Sequence, residues 1–250
     1  MRKPFVAGNW KMNGSAASAQ TLAKGVVDAI GAASSIDVAV CPSNVFLHAV
    51  ADIVANTPVA LGAQDVSEHE AGAYTGETAA GMLKDMRCRY VLIGHSERRQ
   101  FFGDTDDRVR AKFQAALAAQ LTPIVCVGET LDERESGSME TVIARQVDAV
   151  LNIDAGASLS RAVVAYEPVW AIGTGKTASP AQAQEVHKFI RDRIAKVNPD
   201  TANALQVLYG GSVKPDNAPE LFSMADIDGG LIGGAALDAE QFVAICKAAG

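Results

Sequence analysis

The sequence predicts a (β/α)8 barrel, and three observations carry that reading. Eight short apolar, β-rich runs are spread evenly through 250 residues. One-sided helical patterns fill the gaps between them. Runs such as VVAY and IVCV are apolar on both faces, as strands of a parallel sheet covered by helices must be. The runs occupy residues 5–10, 36–41, 59–64, 90–94, 123–127, 162–167, 205–209 and 227–232. Their starts lie 31, 23, 31, 33, 39, 43 and 22 residues apart, room for one strand, one helix and two loops but not for two helices. An open, doubly wound sheet of eight strands fits the same spacing. In either architecture the chemistry belongs just beyond the C-terminal ends of the strands.

In chain order, the first run leads into Asn9, Trp10 and Lys11, and the third into Gln64 and Asp65. The fourth leads into Gly94, His95, Ser96 and Glu97, and the sixth into Glu167 and Pro168. The seventh delivers Gly210, Gly211 and Ser212, and the eighth Gly233 and Gly234. Between the fourth and fifth runs, Thr105 followed by Asp106 and Asp107 opens a helix with Val109, Phe113 and Leu117 on one face. Between the sixth and seventh, Ser179, Pro180 and Gln182 form a capping box with proline at the first helical position. Ala183, Val186, Ile190, Ile194 and Val197 then recur at helical spacing.

Nothing in the composition interrupts this pattern, so one domain over residues 1–250 is expected, large enough to bury roughly 70% of its unfolded surface. At 48% hydrophobic and 20% charged residues the chain is neither disordered nor fibrous. A formal net charge of −7 excludes a general polyanion binder, so nucleic acid is not an expected partner. A small anionic ligand would need a few placed cations and backbone N–H groups. Cys41, Cys88, Cys126 and Cys246 lie 38 or more residues apart with no C-x-x-C, which reads as reduced, mostly buried thiols and no metal site. The opening MRKPFVAGNWKMNG has no signal-peptide core and no run is long enough to span a bilayer, so a cytoplasmic protein with no membrane partner is expected.

A barrel would bring the strand-end residues to one mouth as a proton-transfer site beside an anion site. An isolated lysine is usually a solvated surface group, but Lys11 stands two residues past an apolar strand. His48 and His187 in helical stretches and His69 in a polar loop read as surface residues. His95 follows VLIG and precedes Ser96, a candidate cap for a short helix whose N–H groups would favour neutral imidazole. Glu167 ends the run AVVAY and is held extended by Pro168, so apolar burial is expected to raise its pKa toward a useful base. The segment PVWAIGTGKTAS contains two decoys. Its GTGKT lacks the first glycine of a P-loop, and its G-x-G-x-x-A sits five residues past the strand in the sixth unit. It reads instead as a lid with a Gly-rich tip.

NWKMNG at 9–14, GHSERR at 94–99, AYEPVWAIGTGKTA at 165–178, YGGSV at 209–213 and GGLIGGAAL at 229–237 together resemble the triosephosphate isomerase family, in its order and along the whole chain. The resemblance implies a TIM barrel that interconverts dihydroxyacetone phosphate and glyceraldehyde 3-phosphate in glycolysis and gluconeogenesis, without metal or cofactor. It implies Glu167 as catalytic base, His95 as electrophile, Lys11 as electrostatic anchor, Asn9 as a polar neighbour and Glu97 as the acidic partner of Lys11. The split between a glutamate base and a neutral histidine is the family's own. Backbone N–H groups of Gly173, Ser212, Gly233 and Gly234 would hold the substrate phosphate. Family members are dimers or tetramers, and the loop at residues 65–77 is similar to the one that enters a neighbouring subunit, so a homodimer through that loop is expected. The chain departs from common family residues at Asp65 (Asn), Asp104 (Glu) and Ala236 (Ser). The rivals are another phosphate-binding barrel enzyme, which would lack the Lys11, His95, Glu167 set, and a non-catalytic scaffold barrel, which the presence of all three disfavours.

Overall fold

The computed structural model of the chain describes residues 2–31, 35–172 and 177–250. In it all eight predicted runs are strands. They are β1 (Phe5–Asn9), β2 (Asp37–Cys41), β3 (Val59–Ala63), β4 (Tyr90–Ile93), β5 (Thr122–Val127), β6 (Val163–Tyr166), β7 (Gln206–Tyr209) and β8 (Gly229–Ile232). Each pairs in parallel with its sequence neighbours, and β8 returns to β1 with Phe5 opposite Gly229. The sheet is therefore a closed barrel and not the open alternative. At that seam a Cβ on residue 229 would stand 2.0 Å from the Phe5 carbonyl oxygen, and its φ is +128°, so only glycine closes the ring there.

Period-two alternation sorts the strand residues. Phe5, Ala7, Ala39, Tyr90, Leu92, Ile124, Ala165, Leu208 and Leu231 fill the barrel. Val6, Val38, Val40, Val91, Ile93, Val125, Val164 and Val207 face outward to a second, larger core under the helices. The main helices of that layer include α1 (Ala16–Ile30), α2 (Leu47–Val54), α3 (Ala80–Asp85), α4 (Ser96–Phe101) and α5 (Asp106–Ala118), followed by α6 (Leu131–Glu135) and α7 (Met139–Leu151). The rest are α8 (Pro180–Ala195), α9 (Pro199–Ala204), α10 (Ala218–Phe222) and α11 (Ala239–Ala248). The capping box of α8 forms as its sequence requires, with Ser179 Oγ accepting the Gln182 N–H and Gln182 Oε1 accepting the Ser179 N–H. Ala183, Val186, Ile190 and Ile194 are buried, whereas Val197 lies past the helix end and is exposed. Thr105 caps α5, and Val109 and Phe113 are buried beneath it. All four cysteines are buried thiols. No described helix is long and apolar enough to cross a membrane.

The surface reading holds for His48, which is exposed. His69 is half-buried and stacks on Tyr74 at 3.7 Å. His187 corrects it. It is fully buried, edge-on to the Tyr166 ring at 5.8 Å with Nδ1 3.3 Å from the Asp226 carbonyl, because it points to the sheet face of α8 rather than to water. Burial pushes its pKa down to about 3. The unfolded chain binds a proton there near pH 6.5 while the folded chain does not, so stability falls as pH drops from 6.5 toward 3. Between pH 7.5 and 4.5 this one group accounts for about 3 kcal/mol. Urea unfolding at the two pH values is expected to show a smaller drop for His187→Gln than for the wild type, and equal drops would refute this account.

Asp65 and Asp104 share one setting. Lys112, wholly buried on α5, places Nζ 2.8 Å from Asp65 Oδ1 and 2.9 Å from Asp104 Oδ1, and Arg98 Nε pairs with both carboxylates at 2.9 and 3.2 Å. Two short carboxylates thus enclose one buried ammonium, which would be severely destabilising unpaired.

Candidate active site

Lys11 is the first residue fixed at the barrel mouth, and it is fixed in an unusual backbone state. Its φ is +51°, a left-handed conformation that costs a β-carbon-bearing residue about 1–2 kcal/mol. Three side chains from the C-terminal ends of β1, β2 and β3 hold it there. Asn9 Oδ1 accepts the Lys11 N–H at 3.0 Å, and the Lys11 carbonyl accepts from Ser43 Oγ and Gln64 Nε2, both at 2.8 Å. The ammonium meets Glu97 Oε1 at 2.5 Å, the pairing expected from the sequence.

His95 closes β4 and is itself the N-cap of α4, a correction to the expectation that Ser96 would cap. Its Nδ1 accepts the Glu97 N–H at 3.2 Å, so the neutral ring carries its proton on Nε2. That atom lies 2.9 Å from Glu167 Oε1. Ser96 turns instead to the same carboxylate. Its N–H donates to Glu167 Oε2 at 2.9 Å and its Oγ to Oε1 at 3.2 Å.

Glu167 is 2% exposed and follows β6 on a shelf of glycine. A Cβ on residue 128 would fall 1.9 Å from the Glu167 carbonyl oxygen, so only glycine allows the ends of β5 and β6 to meet so closely. Gln146 braces that shelf through both the N–H and the carbonyl of Gly128. The electrostatics differ from the sequence expectation. Burial raises the Glu167 pKa, but the His95 charge and hydrogen bond together with the Ser96 N–H outweigh it and hold the carboxyl below its usual range. For His95 burial favours the neutral form, yet the facing Glu167 carboxylate outweighs it and raises the ring above its ordinary value. The apolar-wall argument treats each group alone, whereas in the folded chain they are a coupled pair.

These groups share a cavity of about 610 Å³. Asn9, Lys11, His95, Glu97 and Glu167 line it together with Gly210, Gly211, Ser212, Gly233 and Gly234, and a Cβ on residue 210 would stand 2.9 Å from Glu167 Cγ and one on residue 233 would stand 3.5 Å from Lys11 Cε. Every site residue read from the sequence is brought together here except Gly173, which with the lid tip lies outside the described residues. Ala236 is buried behind Gly233, whose carbonyl accepts its N–H at 2.8 Å.

Several residues of the site escape the sequence reading. Glu129, wholly buried past β5, accepts from Tyr166 Oη at 3.0 Å, Trp170 Nε1 at 2.8 Å and Arg134 Nη1 at 3.0 Å, tying the segment after Glu167 to the preceding unit. Ser43, past β2, and Lys214, on the cavity wall, escape it too. Glu129 and Ser43 stand two residues beyond their strands, so the strand-end rule applied to all eight runs finds them.

A family model for triosephosphate isomerase matches residues 4–249. Similar curated proteins named triosephosphate isomerase come from Hydrogenovibrio crunogenus, 55% identical over all of this chain and 99% of that protein, and from Dechloromonas aromatica, 57% identical over the full length of both. A third, from Thiobacillus denitrificans, is 57% identical over all of this chain and 99% of its own length. With a closed parallel barrel, a carboxylate, an imidazole and an ammonium at its mouth, and this likeness over its whole length, the chain belongs to the triosephosphate isomerase family.

Proposed function

We propose that the protein interconverts dihydroxyacetone phosphate and glyceraldehyde 3-phosphate by proton transfer through an enediolate, as a single-domain cytoplasmic enzyme. The observation that carries this is the convergence of Glu167, His95 and Lys11 on one cavity that glycine backbone also lines. Glu167 moves a proton between C1 and C2. Its carboxylate rests on Ser96, and it exchanges those hydrogen bonds for the substrate C–H when the site fills. The His95 Nε2 proton serves the two substrate oxygens in turn, and the Lys11 ammonium stabilises the negative charge that develops on them. Asn9 orients the substrate beside Lys11, and Glu97 sets the position of the ammonium. The N–H groups of Ser212, Gly233 and Gly234 take the phosphate, whose binding energy supports steps at the distant carbon atoms. A coupled assay of purified protein with glyceraldehyde 3-phosphate tests the reading. Absence of turnover would overturn it, and would favour the scaffold alternative.

The homodimer belongs to the same proposal. Met12, Val45, Phe101 and Phe102 are all more than half exposed, large apolar side chains that a monomer would leave to water. Each follows a residue that builds the site: Met12 follows Lys11, Val45 comes after Ser43, and the two phenylalanines end the His95 helix. The loop at 65–77 is closed at its base by the Ser67 N–H to Thr78 carbonyl bond and joined to α4 by Arg98 and Asp65. Thr75→Glu at the exposed tip is expected to give monomers in sedimentation with activity reduced about 10-fold or more, since misplacing site loops by an ångström is that damaging. A fully active monomer would contradict this role.

A further inference from the structure

The cavity poses an electrostatic problem that the residues named so far leave unsolved. Its lining includes Lys11, Glu97 and Glu167, so carboxylates outnumber the ammonium, and Lys11 is already paired with Glu97. The whole chain is negative as well, at −7. A phosphate dianion would approach against both fields. Among the described residues one other cation lines the cavity, Lys214, two positions along the chain from Ser212. Its side chain is exposed, and among the described residues it forms no ion pair.

The backbone that presents it is fixed. Asn217 Oδ1 accepts the Lys214 N–H at 2.7 Å, the Lys214 carbonyl accepts the N–H groups of Asn217 and Ala218, and Asn217 Nδ2 donates to the Ser212 carbonyl at 3.3 Å. One braced turn therefore carries both Ser212 and Lys214, so the base of the lysine side chain keeps its place relative to the Ser212 backbone. We propose that Lys214 is an electrostatic receptor for the substrate phosphate, drawing the dianion to the turn that carries Ser212 and adding its charge to that of Lys11, which also serves the reacting oxygens. The proposal deepens the functional reading above and rests on it.

A unit charge several ångströms from a dianion at a wet rim is worth about 3- to 10-fold in capture, most of it lost to screening in salt. Lys214→Met is therefore expected to lower kcat/KM by about that factor at low ionic strength, mainly through KM, with the gap to wild type closing as salt is raised. Lys214→Arg should restore most of the loss. Lys24→Met, which removes the same charge from the exposed side of α1, serves as the global-charge control and should show no such gap. Calorimetry with inorganic phosphate should show weaker binding by a similar factor in Lys214→Met, a readout that does not depend on turnover. A loss of kcat/KM that persists unchanged in high salt, or is matched by Lys24→Met, overturns the proposal, as does unaltered phosphate binding. A wild-type chain that binds phosphate through Lys214 yet lacks isomerase turnover would instead overturn the reaction and leave the receptor standing.

Discussion

Glu167→Gln is expected to fold normally, to bind phosphate, and to lose about 10²-fold or more in kcat, the usual contribution of a positioned general base. The amide keeps the shape of the carboxylate and can still accept the Ser96 N–H, so the shelf formed by Gly128 and Gln146 has no reason to shift. What disappears is the basic oxygen and the negative charge facing His95. The second loss supplies an independent readout. His95 is raised above its ordinary value by the Glu167 carboxylate against the opposing effect of burial. With the charge gone, burial, the Lys11 ammonium and the Glu97 N–H on Nδ1 favour neutral imidazole, opposed only by the Glu97 carboxylate, a smaller influence than that of Glu167. Titration of the ring by NMR should therefore show its pKa falling in the variant. In the wild type the acid limb of the kcat/KM profile belongs to the coupled pair rather than to either residue. Near-normal turnover in Glu167→Gln would remove Glu167 from the mechanism. A His95 pKa that stays put would show that the two groups do not interact as the 2.9 Å contact implies.

That coupling marks the boundary of what the sequence discloses. The barrel is legible because burial on both faces of short runs and their spacing are one-dimensional signals that any closed parallel sheet must produce. The open sheet remains a rival at that level because closure depends on a contact between Phe5 and Gly229 that no local pattern announces. The strand-end residues are legible for the same topological reason. Their electrostatic states are not. Whether burial or a partner dominates the Glu167 pKa turns on the orientation of His95 and on Ser96 donating to the carboxylate instead of capping α4. His187 shows the same limit, since helical spacing places it on α8 but only the packing against Tyr166 puts it inside. Asp65 and Asp104, mere departures when read along the chain, become one structure once Lys112 stands between them.

Lys11→Met is expected to raise KM by about 10-fold or more and to lower kcat by at least as much, because the ammonium acts on both the arriving dianion and the developing enediolate. The substitution is informative because the backbone is held independently of the side chain. Asn9, Ser43 and Gln64 grip the Lys11 peptide groups, so methionine inherits the strained φ of +51° and the cavity keeps its shape. The variant does create one new problem. Glu97, deprived of its partner at 2.5 Å, becomes an unpaired negative charge in a cavity that must accept an anion. Part of the KM effect is thus repulsion from Glu97 rather than loss of Lys11, and the two are separable. In Lys11→Met/Glu97→Gln the unpaired charge is removed, so KM should recover part of the way while kcat stays low, a non-additivity expected of residues in direct contact. Steady-state kinetics on the two single variants and the double variant close the cycle. If the double variant regained wild-type kcat, the ion pair would be a structural clamp and the charge on the enediolate would have to be met by another group. If neither parameter changed in Lys11→Met, the lysine would have no part in the reaction.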